Sequence, residues 1–311
     1  MTVSVIVATY GRPAYLEKCL NSLLVQRRMP EEIIVVTHEA DKETHFAVEK
    51  IKQSSSRGNA VKQLRVSRAD IVYAENRGLE SASGEIVCFI DDDGVAGEDW
   101  IARIVGRYEA DSGIGGVGGP VIPVVLNKPV VESTDIFAKI TWYGKRITNA
   151  SKVPGSVQEA DSLAGCNMSF RRSLVGKFDE RLLPYWRRFE DDACQSVKEA
   201  GYKVICDPDL RVLHFAANVL EGFGPDQTIR RIIGLHHNSI YVKLKHSKGS
   251  KKIIVFFYEF FWGDDTSPGL YQFIFYAVSH LDLRRLLYCV YALTGKLLGV
   301  YTYLFKKQKP R

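Results

Sequence analysis

The sequence predicts an α/β fold, with an open and mostly parallel sheet covered by helices on both faces, followed by a helical C-terminal region. Two observations carry this prediction. In residues 1–226, short runs of β-branched residues alternate with amphipathic stretches, which is typical of a parallel sheet between helical layers. Residues 227–311, here called the tail, hold 16 of the 34 aromatic residues and 14 Lys and Arg against 4 Asp and Glu. We therefore predict two regions, 1–226 and 227–311.

The alternation can be followed along the chain. Residues 3–8 (VSVIVA) form an apolar run typical of a buried strand. Arg12 and Pro13 open a helix whose apolar residues recur at helical spacing, since proline is favoured in the first turn. The later elements are predicted as strands at 33–36, 71–74 and 86–90, a loop at 54–59, and helices at 41–53, from Asp99 onward and at 193–200.

A glycine-rich run, GIGGVGG, occupies residues 113–119. It contains the GxGxxG pattern of dinucleotide-binding loops, but Pro120 and Pro123 follow where such a loop requires a helix. We therefore interpret the run as a flexible turn that feeds a strand. The sequence contains no GxxxxGK[ST] motif, which excludes a P-loop NTPase.

The six cysteines lie far apart and form no CxxC pair. This spacing argues against a zinc site or a disulfide framework and indicates a reducing compartment. Residues 1–9 lack the charged segment and the long apolar run of a signal peptide. We therefore expect a cytoplasmic protein.

Asp91, Asp92 and Asp93 end the strand predicted at 86–90. Alternation along a strand sends Asp91 and Asp93 to one side and Asp92 to the other, so the first and third can share a ligand. Mg²⁺ or Mn²⁺ suits this position, because such ions take one or two carboxylates and complete their shell with phosphate oxygens and water. The alternative is a solvated acidic turn that caps the next helix.

Glu190, Asp191 and Asp192 form a second acidic group, directly before the helix predicted at 193–200. The positive end of a helix stabilises carboxylates as anions, and an ionised carboxylate that faces a substrate hydroxyl is a competent general base. The two acidic groups together indicate a metal that holds a phosphate leaving group and a base that activates an acceptor. The alternative for the second group is an ordinary helix cap.

These motifs make the chain resemble the inverting glycosyltransferases of family 2, whose nucleotide-sugar domain is of the GT-A type. The segments that carry the resemblance occur in the family's order, and their joint pattern is far more specific than any single motif. They are VSVIVATYGRP (3–13), PEEIIVV (30–36), ENRGLESASGEIVCFIDDDG (75–94), AGCNMSFRRSL (164–174), GKFDERL (176–182), FEDDA (189–193) and residues 200–214.

The resemblance implies a role for each matching residue. Asp91 and Asp93 become the D-x-D pair that holds the metal and the sugar diphosphate, with Asp92 beside them. Asp191 becomes the base, and Glu190 orients the acceptor or the base. Thr9, Tyr10 and Arg12 belong to the loop that encloses the nucleotide base, and Asn76, Arg77 and Gly78 to a loop that approaches the nucleotide. Gly165, Cys166 and Asn167 form the floor of the donor-sugar and acceptor site. His214 is a further ligand of the metal or the phosphate. A hydrogen-bonded core histidine is the alternative for the last of these.

Two departures from the family pattern matter. The family commonly has an aspartate after the second strand that reads the uracil or ribose, but here the strand is followed by THE (37–39), with Asp41 further on. UDP remains our first choice of nucleotide. The second departure is Asp192, directly after Asp191. The family motif also matches with a shift of one residue, so Asp192 is an alternative base.

The resemblance implies a metal-dependent enzyme that moves a hexose from a nucleoside diphosphate sugar to a glycan or lipid-linked hydroxyl, by single displacement with inversion. A carboxylate is a weak base, so much of the rate must come from positioning and electrostatics, and removal of Asp191 should lower turnover more than donor binding. One alternative is a nucleotidyltransferase-like enzyme, although the basic glycine-rich loop near the start of such enzymes is missing. The other is a non-catalytic scaffold that binds a sugar nucleotide or glycan, which would be expected to have lost Asp93 or Asp191.

The tail contains three apolar stretches, at 253–262, 270–281 and 286–305. The first two are shorter than the roughly 20 residues that span a bilayer, and Lys296 interrupts the third at its middle. Aromatic helices bordered by basic residues favour the cytoplasmic face of the plasma membrane, and a polyprenyl-phosphate-linked acceptor would explain both regions of the chain. The alternatives are a true span at 286–305, a dimer face and a soluble cap. Because the tail has no recognisable RNA-binding motif, we do not expect nucleic acid as a partner.

Overall fold

The computed structural model describes residues 1–183, 188–215, 225–279 and 284–306. Contacts divide the chain into two compact units, each built from several segments. The first unit is Met1–Ala138, Thr148–Phe178 and Ala193–Asn218, and the second is Lys139–Ile147, Asp179–Asp192 and Val219–Arg311. The second unit therefore contains the tail and, in addition, two segments that precede it in the chain.

The longest strands lie near the N-terminus and the longest helices near the C-terminus. The strands are β1 (Val3–Thr9), β2 (Glu32–His38), β3 (Val61–Val66), β4 (Ile86–Phe89), β5 (Gly94–Ala96), β6 (Ile114–Gly118), β7 (Val121–Val125), β8 (Lys128–Pro129), β9 (Glu132–Thr134), β10 (Lys139–Ile140), β11 (Arg146–Ile147), β12 (Lys152–Pro154), β13 (Gln158–Glu159), β14 (Met168–Arg171), β15 (Lys203–Cys206), β16 (Val212–His214), β17 (Gly263–Asp264) and β18 (Ser267–Pro268). The helices are α1 (Pro13–Leu24), α2 (Lys42–Ser54), α3 (Ile71–Ser81), α4 (Trp100–Ala110), α5 (Phe189–Glu199), α6 (Pro225–Lys245), α7 (Lys251–Phe257), α8 (Leu270–Ser279) and α9 (Arg284–Phe305), with a 3₁₀ turn at Gly58–Ala60 and a π-helical turn at Tyr258–Trp262.

Eight strands of the first unit form one sheet in the order β13-β15-β6-β14-β4-β1-β2-β3. The pairs β1 with β2, β1 with β4, β2 with β3 and β6 with β15 are parallel, whereas β14 runs antiparallel to both of its neighbours. A second sheet of four strands has the order β5-β16-β7-β8. The predicted open and mostly parallel sheet is therefore confirmed.

Different helices cover the two faces of the large sheet, because alternate residues of a strand point in opposite directions. Val5 and Val7 of β1 share a buried cluster with residues of α1 and α4, among them Leu20. Ile6 points the other way, where Gly78 of α3 lies against its side chain. β1 and β4 are buried along their whole length, which is why their sequences are continuous apolar runs.

The strand predicted at 71–74 is wrong, because these residues begin α3 and the third strand of the sheet is β3. Asp70 caps the helix, since its carboxylate accepts a hydrogen bond from the backbone N–H of Tyr73 at 2.9 Å. β3 (VKQLRV) is the edge strand of the sheet, and its interior positions are exposed or half-buried. An edge strand carries polar residues, so β3 lacks the apolar run that predicts a strand.

The interpretation of residues 113–119 as a flexible turn is also wrong, because β6 is a buried strand between β14 and β15. Its glycines are required by close packing. A Cβ atom on Gly118 would lie 2.5 Å from the backbone oxygen of Asn167. The backbone directly before β14 therefore occupies the space of the missing side chain. The strand predicted to follow the run is β7.

The second unit is mainly helical, and α6 and α9 pack along each other. Their backbones approach closely at Gly299 of α9, where a Cβ atom would lie 2.5 Å from the backbone oxygen of His237. The apolar stretches predicted in the tail correspond to α7 with the π-helical turn, to α8, and to α9. Residues 280 and 281, at the end of the second stretch, lie outside the described residues.

A bilayer-spanning helix was one alternative for residues 286–305. Across the described parts of the chain, α9 included, no helix combines the length and the apolar character that crossing a membrane requires. Lys296, near the middle of α9, is completely buried within the second unit.

Candidate functional site

The aspartate cluster, formed by Asp91, Asp92 and Asp93, lies in the turn between β4 and β5 of the first unit. β5 pairs antiparallel with β16, and this register sets Gly94 opposite His214. The imidazole of His214 therefore reaches the cluster, and its Nε2 atom lies 3.1 Å from Oδ1 of Asp93. Strand pairing thus brings a nitrogen donor to carboxylates that are far away in the sequence.

The arrangement around the cluster suits one metal ion, because the donor atoms of Asp91, Cys166 and His214 all lie within 4.8 Å of one another. Burial, followed by the charges of the neighbouring carboxylates, raises the pKa of the Cys166 thiol well above its ordinary value. Sulfur ligands suit softer metals, whereas carboxylate oxygens suit Mg²⁺ and Mn²⁺. Asp91 and Asp93 supply such oxygens with the imidazole of His214 beside them, and this donor set fits Mg²⁺ or Mn²⁺.

Asp92 differs from its two neighbours, since its side chain is completely buried. The hydroxyl of Thr9, at the end of β1, donates to its Oδ2 atom at 2.6 Å, and Nη2 of Arg12 lies 2.8 Å from its Oδ1 atom. Nη1 of Arg12 also donates to Asp93 at 3.4 Å. Burial raises the pKa of Asp92 to about 7, against the opposing effects of Arg12 and Thr9. Asp92 thus connects the loop after β1 to the aspartate cluster. Its contact with a sugar nucleotide stays a prediction.

The loop after β1 presents Tyr10, whose side chain is 58% exposed. Its ring meets the ring of His38, at the end of β2, edge to face with centroids 5.2 Å apart. The N–H of Gly11 donates to Oδ2 of Asp41 at 2.5 Å, and the N–H of Thr44 donates to the same carboxylate at 3.2 Å. Burial alone would raise the pKa of Asp41, but these hydrogen bonds lower it. Asp41 therefore holds the loop and caps α2.

Asn76 and Asn167 are buried and hydrogen-bond to protein groups. Asn76 accepts from the N–H of Phe178 at 2.7 Å and donates to its carbonyl oxygen at 3.0 Å. Asn167 accepts from Nε1 of Trp100 at 2.9 Å and donates to the carbonyl oxygen of Leu210 at 2.6 Å. Both side chains brace neighbouring segments, and the binding roles implied for them stay predictions.

The nucleotide loop predicted at Asn76, Arg77 and Gly78 is wrong, because these residues lie within α3. Arg77 and Gly165 lie nearer the surface than the two asparagines. Gly165 is half-buried, in a turn that closes when the N–H of Asn167 donates to the carbonyl oxygen of Ala164 at 2.8 Å. Arg77 of α3 is exposed and pairs with Glu80 in the same helix. Their binding roles likewise stay predictions.

Glu75 is a residue that sequence reasoning left without a role. It lies on α3 and is buried. Burial, followed by the charge of Asp91, raises the pKa of its carboxyl group well above the ordinary value. Burial thus opposes the ionisation of a carboxyl group near the cluster. The signal in the sequence was its position in the ENRG segment.

The acidic turn, formed by Glu190, Asp191 and Asp192, belongs to the second unit. α5 begins at Phe189, earlier than the predicted start at 193, so the three carboxylates occupy its first turn. All three are buried. Buried charges require partners, and each of the three has a different set.

Asp191 is held between two arginines. Nη2 of Arg146 donates to Oδ1 at 3.0 Å, and Nε of Arg146 lies 3.0 Å from Oδ2. Nη1 of Arg188, the residue directly before α5, donates to Oδ2 at 3.0 Å. Two positive charges at such distances favour the ionised carboxylate, and the fork of the guanidinium fixes its direction.

Glu190 is connected to its neighbour both by charge and by a shared partner. Its carboxylate accepts a hydrogen bond from the backbone N–H of Arg188 at 2.9 Å. Burial, followed by the charge of Asp191, raises the pKa of Glu190. The acidic turn therefore places a carboxyl group whose ionisation burial opposes next to one that two arginines contact.

Asp192 has partners from the end of α6 and the residue after it. Nζ of Lys245 donates to Oδ2 at 2.8 Å, and Nε2 of His246 lies 2.7 Å from Oδ1. Burial opposes ionisation, but the hydrogen bond with His246 and the charge of Lys245 lower the pKa of Asp192. Its carboxylate is thus part of an ion-pair cluster.

Sequence reasoning missed the four basic residues around the acidic turn. Arg188 had a local signal, because it lies two residues before Glu190. Lys245 and His246 lie in the tail, whose positive charge we attributed to membrane binding. Arg146 lies in a segment, 126–160, that has no readable motif.

The fold is that of the GT-A glycosyltransferases. The chain superposes on a mannosyltransferase from Pyrobaculum calidifontis, solved in complex with GDP-Man and Mn²⁺, with a TM-score of 0.58 and 17% identity, covering 98% of this chain and 88% of that one. It superposes on residues 1–349 of S. aureus TarS, solved with UDP-GlcNAc, with a TM-score of 0.61 and 15% identity, covering 96% of this chain and 82% of that one. At these identities the likeness shows the fold alone.

The family model for glycosyl transferase family 2 matches residues 4–177, and the chain belongs to this family. A relative, the glucosyl-dolichyl phosphate glucuronosyltransferase of Haloferax volcanii, is 27% identical over 225 residues, which cover 69% of this chain and 69% of that protein. The resemblance to family 2 and the prediction of a glycosyltransferase are therefore confirmed.

Proposed function

We propose that this enzyme transfers a hexose from a nucleoside diphosphate sugar, with a UDP-sugar as the first choice, to a hydroxyl group of a glycan or polyprenyl-phosphate-linked acceptor. Transfer inverts the anomeric carbon and requires Mn²⁺ or Mg²⁺. The observation that carries the proposal is the convergence of Asp91, Asp93 and His214 beyond the carboxyl end of β4. Ligands of open α/β sheets bind at that edge.

On the donor side, Asp91, Asp93 and His214 would hold the ion, which when bound supplies positive charge to the departing nucleoside diphosphate. The exposed ring of Tyr10 offers a stacking surface for the nucleotide base, and Arg12 holds the loop that carries it through its pairing with Asp92 and Asp93. The mannosyltransferase neighbour supports this arrangement, since its structure contains GDP-Man and Mn²⁺.

For the acceptor, the carboxylate of Asp191 takes the proton of the attacking hydroxyl. Arg146 and Arg188 favour the ionised form that this step requires. Glu190, which lies beside it, orients the acceptor or the base. Asp192 is the weaker candidate, because a lysine and a histidine of the tail hold its carboxylate.

Calorimetric titration of UDP, GDP and their hexose conjugates, with Mn²⁺ and with EDTA, tests the donor site. We expect one nucleotide to bind only with Mn²⁺, and Asp93→Asn to weaken this binding about tenfold or more, because a metal ligand is lost. Asp111→Asn is the matched control, since that carboxylate pairs with Lys203 at the surface of the same unit. If no nucleotide binds under either condition, the proposal is wrong.

We further propose that the second unit binds the cytoplasmic surface of the membrane, where it would meet a lipid-linked acceptor. α7 with the π-helical turn, α8 and α9 all expose apolar side chains at helical spacing, as interfacial helices do. These side chains are Ile253, Ile254, Phe257, Phe261 and Trp262, then Tyr271, Ile274, Phe275 and Val278, then Leu297, Leu298, Tyr301, Leu304 and Phe305. The Haloferax relative, whose name specifies glucosyl-dolichyl phosphate, supports a lipid-linked acceptor.

Co-sedimentation with vesicles tests the membrane surface. The rings of Phe257 and Phe261 are exposed and stack with centroids 6.1 Å apart. We expect the protein to bind phosphatidylglycerol-containing vesicles more strongly than phosphatidylcholine vesicles, and the double change Phe257→Ser and Phe261→Ser to weaken binding. Phe46→Ser, which removes an exposed ring from α2 in the first unit, is the control. Equal losses in both variants would contradict the proposal.

A further inference from the structure

Arg188 has a backbone conformation that is unusual for a residue with a side chain. Its φ angle is +107°, in the region that favours glycine, and its side chain is buried. Such strain persists where the surrounding contacts over-determine a residue, and it is frequent at functional sites. The contacts that hold Arg188 in this conformation therefore indicate what the residue does.

Arg188 links the acidic turn to the hairpin of β17 and β18 in the tail. Its Nη1 atom donates to Oδ2 of Asp191 at 3.0 Å, and its Nη2 atom donates to Oγ1 of Thr266 at 2.6 Å. Its backbone N–H donates to Glu190 at 2.9 Å. One guanidinium group therefore contacts both the proposed base and the tail.

The hydroxyl of Thr266 is itself oriented by the tail. It donates to Oδ1 of Asp264 at 2.7 Å, so that its oxygen faces Arg188 as an acceptor. Oδ2 of Asp264 in turn accepts from Nζ of Lys243 at 2.7 Å, and Lys243 also pairs with Glu259. Asp264, Lys243 and Glu259 are all buried. A buried network of this kind keeps one arrangement, because any group that leaves it would lose its partner without gaining water.

From these contacts we infer that Arg188 is a positioning residue for Asp191, and that Thr266 and Asp264 of the tail hold Arg188 in place. The inference rests on the proposed role of Asp191 as the base. It gives the tail a part in catalysis besides membrane binding, since the hairpin sets the direction and the ionisation of the base carboxylate.

In the described part of the chain, charged groups from at least three segments face Asp191. Arg146 belongs to β11, Arg188 precedes α5, and Glu190 belongs to α5 itself. The two arginines favour the ionised carboxylate, whereas a charge on Glu190 opposes it. When Arg188 loses the acceptor that holds it, the balance moves towards the protonated form and the carboxylate is less restricted in direction. A displacement of about 1 Å can lower a rate by about a hundredfold.

The experiment compares Thr266→Val with Thr302→Val. Each change removes one hydroxyl from the second unit and keeps the shape of the side chain. Thr302 is buried and shares a hydrogen bond with Nε2 of His237 at 2.9 Å, away from the contacts of Arg188. Thr266→Ser retains the hydroxyl and is the conservative variant.

Each protein is assayed for nucleotide release from UDP-glucose, UDP-glucuronic acid, UDP-N-acetylglucosamine and GDP-mannose. The assay contains Mn²⁺ and phosphatidylglycerol vesicles that carry glucosyl undecaprenyl phosphate. Rates are measured as a function of donor concentration and of pH, and urea unfolding is followed in parallel. The stability measurement separates an effect on the base from a general loss of structure.

We expect Thr266→Val to lower kcat about tenfold, to leave the KM for the donor unchanged, and to raise the pH below which kcat falls. Thr302→Val and Thr266→Ser should retain the kcat and the pH profile of the wild type. Equal kcat values for the two valine variants, or an unchanged pH profile in Thr266→Val, would overturn the inference and leave the proposed function intact. A wild-type protein that releases no nucleotide from any donor would overturn the proposed function, and the inference with it.

Discussion

Nζ of Lys296 lies 3.5 Å from Oε2 of Glu259, and both side chains are completely buried. The same ammonium group donates to the carbonyl oxygen of Pro268 at 2.9 Å and to that of Glu259. In the sequence this lysine interrupts an apolar stretch and argues against a membrane span. In the structure it ties α9 to the π-helical turn and to the hairpin of the tail.

Lys296→Met should destabilise the second unit. Removal of one partner from a buried ion pair typically costs about 3 to 5 kcal/mol, and we expect the lower end, about 3 kcal/mol, because Lys243 still pairs with Glu259. Urea unfolding monitored by circular dichroism measures the change. Lys248→Met, at an exposed position, should change the free energy of unfolding by less than about 0.5 kcal/mol. Equal losses would show that the buried pair does not stabilise the fold.

His236 should make the stability of the protein depend on pH. Its ring is buried and shares a hydrogen bond with Oγ of Ser267 at 2.9 Å, and burial, followed by the charge of Lys296, lowers its pKa to about 3. A histidine in the unfolded chain has a pKa of about 6.5, so below that pH the unfolded state binds a proton that the folded state does not. Above about pH 6.5, protonation of His236 does not lower the free energy of unfolding. As the pH falls from there towards 3, the free energy of unfolding decreases by up to about 1.4 kcal/mol per pH unit.

Urea unfolding of the wild type and of His236→Gln between about pH 7 and pH 4.5 measures this contribution. We expect the variant to lose stability less steeply than the wild type over this range. His45→Gln, at a half-buried position on α2, should keep the wild-type slope. A slope in His236→Gln that equals that of the wild type would assign the pH dependence to other groups.

Gly299→Ala should separate α6 from α9. The new Cβ atom would lie 2.5 Å from the backbone oxygen of His237, and backbone atoms in packed helices cannot move away cheaply. We expect a loss of about 1 to 3 kcal/mol, the usual result of overpacking. Gly106→Ala on α4 is the matched control, because the added Cβ meets no atom within 4 Å there. That change should stabilise the helix by about 0.5 to 1 kcal/mol, and a similar sign for both variants would contradict the prediction.

Asp191→Asn and Asp192→Asn should have different effects. Asp191→Asn should lower kcat by about 10² to 10⁴ with little change in Mn²⁺-dependent nucleotide binding. An amide cannot take the proton of the attacking hydroxyl, which is the role we propose for Asp191. Asp192→Asn should mainly lower the free energy of unfolding, since Lys245 and His246 lose their carboxylate partner. Steady-state kinetics, calorimetry and urea unfolding of both variants provide the comparison. A larger kcat loss in Asp192→Asn would assign the base to that residue instead.

Some strands of the large sheet can be predicted from the sequence and others cannot. β1 and β4 could be predicted because burial on both faces leaves a continuous apolar run. β3 could not, because an edge strand needs few apolar residues, and the run at residues 71–74 that resembled a strand is the apolar start of α3. β6 was hidden for another reason. Its glycines are dictated by the close approach of backbone and side chains from distant segments, and that approach is set by the tertiary fold.

The sequence by itself determined the family, the α/β class and the positions of the two acidic groups, because each depends on residues that are close together in the chain. Only the tertiary structure decided the partners of these carboxylates. His214 reaches Asp93 through the pairing of β16 with β5, and Arg146 reaches Asp191 across 45 residues. Burial removes water from a carboxylate and requires a partner group, but it does not specify where in the sequence that partner lies. The partner is decided by the packing of distant segments, which local patterns do not encode.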